Sequence, residues 1–283
     1  MFQKLSNSWE LVKASAAVLR SDKELIVFPI VSAIGSLIVL ATFAIPMFLA
    51  GLFDHIYVDG QGFQPLAMLI AFLCYLVQYT VISFANTALV GAALIRLRGG
   101  DPTVADGFRI ASQRLGPILG YALIAATVGT VLRVITERVG IVGRIVISLI
   151  GFAWVIATYL VVPVLAAEDI GPVDAVKRST QLLKSTWGEQ LVGNAGVNAV
   201  FGLMMFGVFL VGIPLIVLAV VSESLVLVGI VVLLVVLAAL ALGVISSTLT
   251  GIYSAAVYRF AAEGEVAGGF SAEMIQSAFR TKK

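Results

Sequence analysis

Four carboxamides stand inside long apolar runs of the chain: Gln78, Asn86, Asn194 and Asn198. An amide left unpaired in hydrocarbon is costly, so each must turn toward another helix or toward water. Asn194 and Asn198 are one turn apart and share a helix face. Ser83 and Thr87 accompany the first pair, and Ser246, Ser247, Thr248, Thr250, Tyr253 and Ser254 crowd a later run. The chemistry open to such groups is hydrogen bonding rather than proton transfer. The four amides either line a polar cavity or substrate path, or bond one helix to another. The second is the commoner use of buried amides.

Other chemistries lack their parts. The single cysteine, Cys74, excludes an intrachain disulfide, a CxxC pair and a thiolate zinc site. The single histidine, His55, excludes a two-His metal motif. No nucleophile elbow, phosphate loop, dinucleotide fingerprint or HExxH is present. No ionisable residue lies deep in an apolar run; Arg133 is nearest and can extend to an interface. Ion-coupled transport usually needs a buried acid or histidine, so that mechanism is disfavoured while a passive pore stays open. The expectation is a non-enzyme with no catalytic residue, cofactor, metal or nucleic-acid partner.

The elements that position these residues follow from composition. The chain has 283 residues, 60% hydrophobic and only 12% charged. An ordinary soluble domain carries about 25% charged residues, so a bilayer is the expected solvent. Six runs are long enough to span it: Leu25 to Phe53, Leu66 to Leu97, Pro117 to Ile135, Ile141 to Ala167, Gln190 to Val220 and Leu225 to Ala262. They are continuous rather than alternating, which predicts helices and not a barrel. The third and fourth should form a hairpin around Glu137 to Gly140. Pro46, Pro163 and Pro214 fall within runs, where a proline either breaks a helix around a site or, more commonly, only kinks it. Gly243, Ser247, Gly251 and Ala255 make a small-residue ladder suited to close helix contact.

Charge then gives orientation. Of the 18 Lys and Arg residues, only Arg133, Arg138 and Arg144 lie outside four segments that six spans would bring to one side. The positive-inside rule places that side, with both termini, in the cytoplasm. Three of its segments have apolar residues at helical spacing and should be amphipathic interfacial helices. Leu5, Trp9, Val12, Ala16 and Leu19 mark the first; Val104, Phe108, Ala111 and Leu115 the second; Val173, Val176, Thr180, Leu183 and Trp187 the third. Pro102 and Pro172 are placed to open the second and third. Lys13, Arg109, Arg114, Lys177, Arg178 and Lys184 on them are candidate contacts for lipid headgroups or a partner.

Each interfacial helix precedes two spans, which predicts a threefold repeat with modules near 1–98, 99–167 and 168–262. Capping boxes are expected at Ser21 to Glu24 and at Thr186 to Glu189. Residues 1–283 form a single transmembrane domain, with a cytoplasmic tail at 263–283 carrying a short helix near Phe270 to Phe279.

The segment Glu168-Asp169 through Gly171-Pro172-Val173-Asp174-Ala175-Val176-Lys177-Arg178-Ser179 to Leu183, then Thr186-Trp187-Gly188-Glu189-Gln190, resembles an uncharacterised family of six-span bacterial membrane proteins. It is also similar to the membrane domain attached to some glycerophosphodiester phosphodiesterases, whose soluble catalytic barrel is absent from this sequence. The resemblance implies the bacterial cytoplasmic (inner) membrane and no enzymatic residue. The resulting expectation is an all-α, polytopic membrane scaffold or accessory protein contacting lipids, with a protein partner or a second copy left open. The alternative is a transporter or channel with a polar path along spans two, five and six.

Overall fold

The structure, a computed structural model, describes residues 2–49, 57–58, 62–63, 65–187, 196–266 and 269–277. The protein is all-α and polytopic. Its helices are α1 (Phe2–Ser21), α2 (Val27–Leu49), α3 (Pro65–Leu97), α4 (Val104–Gln113), α5 (Leu115–Arg138), α6 (Ile141–Ala157), α7 (Val161–Ala167), α8 (Pro172–Trp187), α9 (Gly196–Val221), α10 (Leu225–Glu263) and α11 (Ala272–Ser277). A 3-10 turn, Lys23–Ile26, leads into α2. Between α2 and α3, Tyr57–Val58 pairs antiparallel with Gly62–Phe63. Six helical stretches of 22 to 39 residues are apolar enough to cross a membrane. The 39 residues of α10 reach about 58 Å, roughly twice the hydrocarbon thickness.

Short helix, then hairpin, occurs three times in order. Each short helix packs on the hairpin that precedes it, and the first closes on the last. Helix α4 lies against α3, α8 lies against α5, α6 and α7, and α1 lies against α9 and α10. The second arms of the hairpins, α3, α7 and α10, touch one another. Close approach needs small residues. A Cβ on Gly251 of α10 would stand 2.3 Å from Leu89 Cδ2 of α3, and one on Gly107 of α4 would stand 2.7 Å from the Ala88 carbonyl oxygen.

The four basic segments meet at one end of the bundle, here called the basic end. Arg96 donates to Ser21 Oγ at 3.3 Å, Arg98 pairs with Glu263, and Arg114 pairs with Asp169. Arg259, only 9% exposed, donates to the Leu97 carbonyl and pairs with Glu263 and Glu265. It thereby satisfies a terminal carbonyl of α3, where the helix dipole favours a cation. The core gathers near this end and includes Leu11, Phe28, Leu89, Leu160, Ile252 and Tyr253. Phe270 and Ile275 join it, so the short helix α11 and the turn before it are docked on the bundle.

Two local expectations need correction. Ser21 and Glu24 form no capping box: Ser21 Oγ donates to the Val18 carbonyl, and Glu24 Oε2 accepts from the Val104 N–H at 2.9 Å. The carboxylate caps its neighbour because α4 brings its exposed N–H groups beside the start of α2. Pro102 precedes α4 and does not open it; Thr103 is the N-cap, in a reciprocal box with Asp106. The first span holds from Lys23 to Leu49, opening in a 3-10 turn, and its expected end at Phe53 falls outside the described residues. Pro172 does open α8. The box expected at Thr186 to Glu189 falls partly outside the described residues.

Candidate functional site

Pro163 interrupts the fourth span. With no N–H of its own and a ring that crowds the turn before it, proline breaks an α-helix just upstream. Helix α6 ends at Ala157 and α7 begins at Val161. The turn between them tightens, with Tyr159 N bonded to the Ile156 carbonyl at 3.1 Å and Val161 N to the Thr158 carbonyl at 3.1 Å. Leu160 N–H is taken by Ser179 Oγ of α8 at 3.0 Å, both residues fully buried. Helix α8 therefore holds the break from the side.

Its neighbour Arg178 donates from Nε to Glu168 Oε1 at 3.1 Å, and Tyr258 OH of α10 donates to the same oxygen at 2.9 Å. The Glu168, Arg178 and Ser179 part of the sequence motif is thus a clamp joining α7, α8 and α10.

The six candidate cations divide. Arg178 and Arg114 are committed to Glu168 and Asp169 on the bundle itself. Arg109 pairs with Asp106 at 2.5 Å and Lys177 with Asp174 at 3.0 Å, each within its own helix. Hydrogen bonds from the Thr103 hydroxyl and backbone, with Arg109 adding, hold the Asp106 carboxyl below its usual range. Lys13 on α1 and Lys184 on α8 are exposed and meet no carboxylate among the described residues. At the same end Asp22 is buried; burial pushes its carboxyl above its usual 3.8, against the Glu24 backbone N–H and the charge of Arg96.

Of the four amides, the structure describes the side chains of Gln78 and Asn86, and these two do not share a site. Asn86 lines an open-sided cavity of about 760 Å3 bordered by α3, the α6–α7 break, α9 and α10. Gln78 lies eight residues earlier on α3, roughly 80° around the helix; it does not line this cavity, and its buried Oε1 has no partner among the described residues. Asn194 lies outside the described residues, and the side chain of Asn198 on α9 does too. Hydroxyls of α10 face the space: Ser246, Ser247, Thr250 and Ser254. Tyr159 and Pro163 of span four, not among the spans expected to supply a path, complete the wall. The signal for span four was Pro163 itself, since a helix break beside a polar wall is how membrane sites are often made.

Among the described residues no group of His, Cys, Asp or Glu is spaced to hold a metal ion, and His55 falls outside them. The arrangement offers hydrogen bonds and apolar contact only. A family model matches residues 66–269, from α3 to the segment before α11. The chain belongs to the DUF6159 family. DUF6159 is described as a family of unknown function, so membership supplies no activity to this site. No curated protein and no solved structure matches the chain. The DUF6159 match includes the cavity wall and the Glu168–Arg178–Ser179 clamp, and omits α1 and α2.

Proposed function

We propose that this protein is a non-enzymatic accessory or scaffold protein of the bacterial cytoplasmic membrane, multi-pass, with its basic end and both termini in the cytoplasm. Its short helices α1, α4 and α8 lie at the interface, and α1 and α8 engage anionic lipid headgroups or an acidic face of a partner protein. The reading does not draw on the likeness to phosphodiesterase membrane domains. The observation that carries it is the pair of exposed cations, Lys13 and Lys184, which meet no carboxylate among the described residues on helices that are otherwise docked. A surface lysine near an anionic leaflet gains about 1 kcal/mol.

The test is thermal unfolding in nanodiscs. Anionic lipid should raise the midpoint over zwitterionic lipid, and Lys13→Gln with Lys184→Gln should remove most of the rise. A midpoint indifferent to lipid charge overturns the reading. Reporters fused to the two ends check the orientation.

A second reading, a solute path, is favoured by the polar wall of Asn86 and the α10 hydroxyls. Flux of small solutes into proteoliposomes carrying the protein, abolished by Asn86→Leu, would support it over the first.

A further inference from the structure

Glycines on membrane helices usually mark the places where backbones touch. Here most do: Gly35 would meet Val81 at 2.9 Å, Gly212 would meet Val235 at 2.9 Å, and Gly251 would meet Leu89 at 2.3 Å. A Cβ added to Gly116, Gly202, Gly207, Gly229 or Gly243 would find nothing within 4 Å, and of these Gly202 of α9 and Gly243 of α10 line the cavity. Close packing is also missing between α9 and the α6–α7 segment among the described residues, although the other hairpins are sealed against their neighbours. Space is thus kept open at one seam, by the absence of side chains and by a proline break whose backbone α8 holds in place.

We propose that this seam is a binding site for an uncharged, hydroxyl-bearing lipid of the diacylglycerol kind, entering sideways from the bilayer. Its polar end faces Asn86 and the α10 serines, and its chains lie along Val155, Val162, Phe201 and Met205. Three observations set the chemistry. No hydrogen bond among the described residues engages the Asn86 amide, so it has donors and an acceptor to offer. None of the lining residues is charged, so a phosphate or carboxylate would be desolvated there without a counterion. Asn86 stands eleven residues before the end of α3, about 16 Å from the basic end. With the end of α3 near the interface, that depth falls inside the hydrocarbon, where a neutral hydroxyl is tolerated far better than a phosphate. The volume is within the range of about 300–1,000 Å3 found for small-molecule sites. This site is independent of whether Lys13 and Lys184 hold anionic lipid.

The test is photo-crosslinking of the full chain in nanodiscs with a diacylglycerol that carries a diazirine in one chain. Label should concentrate on peptides from α3, α9 and α10, and unlabelled diacylglycerol should compete it away. Phosphatidic acid with the same chains should compete roughly tenfold less well. Asn86→Leu should weaken competition by roughly tenfold, as expected for one lost hydrogen bond to a buried group. Gly243→Leu should abolish the focused label by filling the space, and helix propensity favours that fold over the parent. Focused label that both lipids displace equally would show an ordinary bilayer chain in the groove. That outcome, or label spread evenly over all helices and unchanged in Gly243→Leu, overturns the proposal. Neither outcome bears on the response of the midpoint to lipid charge.

Discussion

The half of the bundle that holds Leu89, Leu160 and Ile252 is built differently from the half that holds Leu49, Ile141 and Leu225. In the first, all three named side chains are fully buried, and Ala88, Ala92, Ala93, Ala255 and Ala256 let α3 and α10 approach. In the second, Leu49 is 78% exposed, Ile141 79% and Leu225 87%, and α6 has no buried residue at all. Lipid tails are as apolar as leucine, so nothing drives bulky side chains of neighbouring hairpins together there. At the basic end, interhelical hydrogen bonds, ion pairs and small residues fix each helix against the next. Tertiary position is therefore specified at one end, and the far arms are placed by it.

Substitutions can break or sharpen that contrast. Arg259→Met should have the largest effect, about 3–5 kcal/mol, because it strips the Leu97 carbonyl and leaves Glu263 short of a partner. Denaturant titration in detergent reads it, and loss below about 1 kcal/mol would mean that the buried guanidinium is idle. Gly107→Ala should lower stability by about 1–3 kcal/mol, since the new methyl meets both the Phe28 ring and the immovable Ala88 carbonyl. Leu149→Ala, at a residue 63% exposed on α6, should change stability by no more than about 0.5 kcal/mol. Leu160→Ala under the same conditions should cost several times as much, about 2–5 kcal/mol. Equal effects at the two leucines would erase the distinction between the halves.

The smallest effect is a pH dependence at Asp22. Its carboxyl is raised above 3.8 by burial, so the folded state takes up a proton between that value and its own pKa. Stability falls as pH rises through this window, and the full penalty stands above it. Asp22→Asn removes the penalty. The variant should match the parent below about pH 3.8 and exceed it increasingly as pH rises through the window. A variant weaker than the parent at neutral pH would mean that the Arg96 charge outweighs burial.

Six spans were legible because length and apolarity alone decide them. The hairpin turn at Val139-Gly140 and the start of α8 at Pro172 were legible for similar reasons, each being set by residues next to one another in sequence. Local patterns failed where a partner from elsewhere took over. Glu24 fits a box with Ser21 on paper, yet it caps α4, eighty residues away. Ser179 reads as one residue of a motif, and only folding shows that its hydroxyl serves Leu160. Arg178 and Arg114 look like free surface charge until Glu168 and Asp169 arrive beside them. For the polar site, amide identity picked out Asn86 but could not weigh the α10 hydroxyls above Gln78, because which face a polar residue occupies depends on the neighbouring helices. The small-residue ladder of α10 was legible as a whole, while its division was not: Gly251 and Ala255 pack, and Gly243 and Ser247 border open space.

The docking of α1 on α9 and α10 has a consequence for how the chain is made. Translation delivers α1 well before either of its partners has left the ribosome. Until the final hairpin is inserted, Leu11, Val12 and Val18 have no protein surface to cover them. Docking of α1 on the last hairpin therefore has to wait until α9 and α10 are both made.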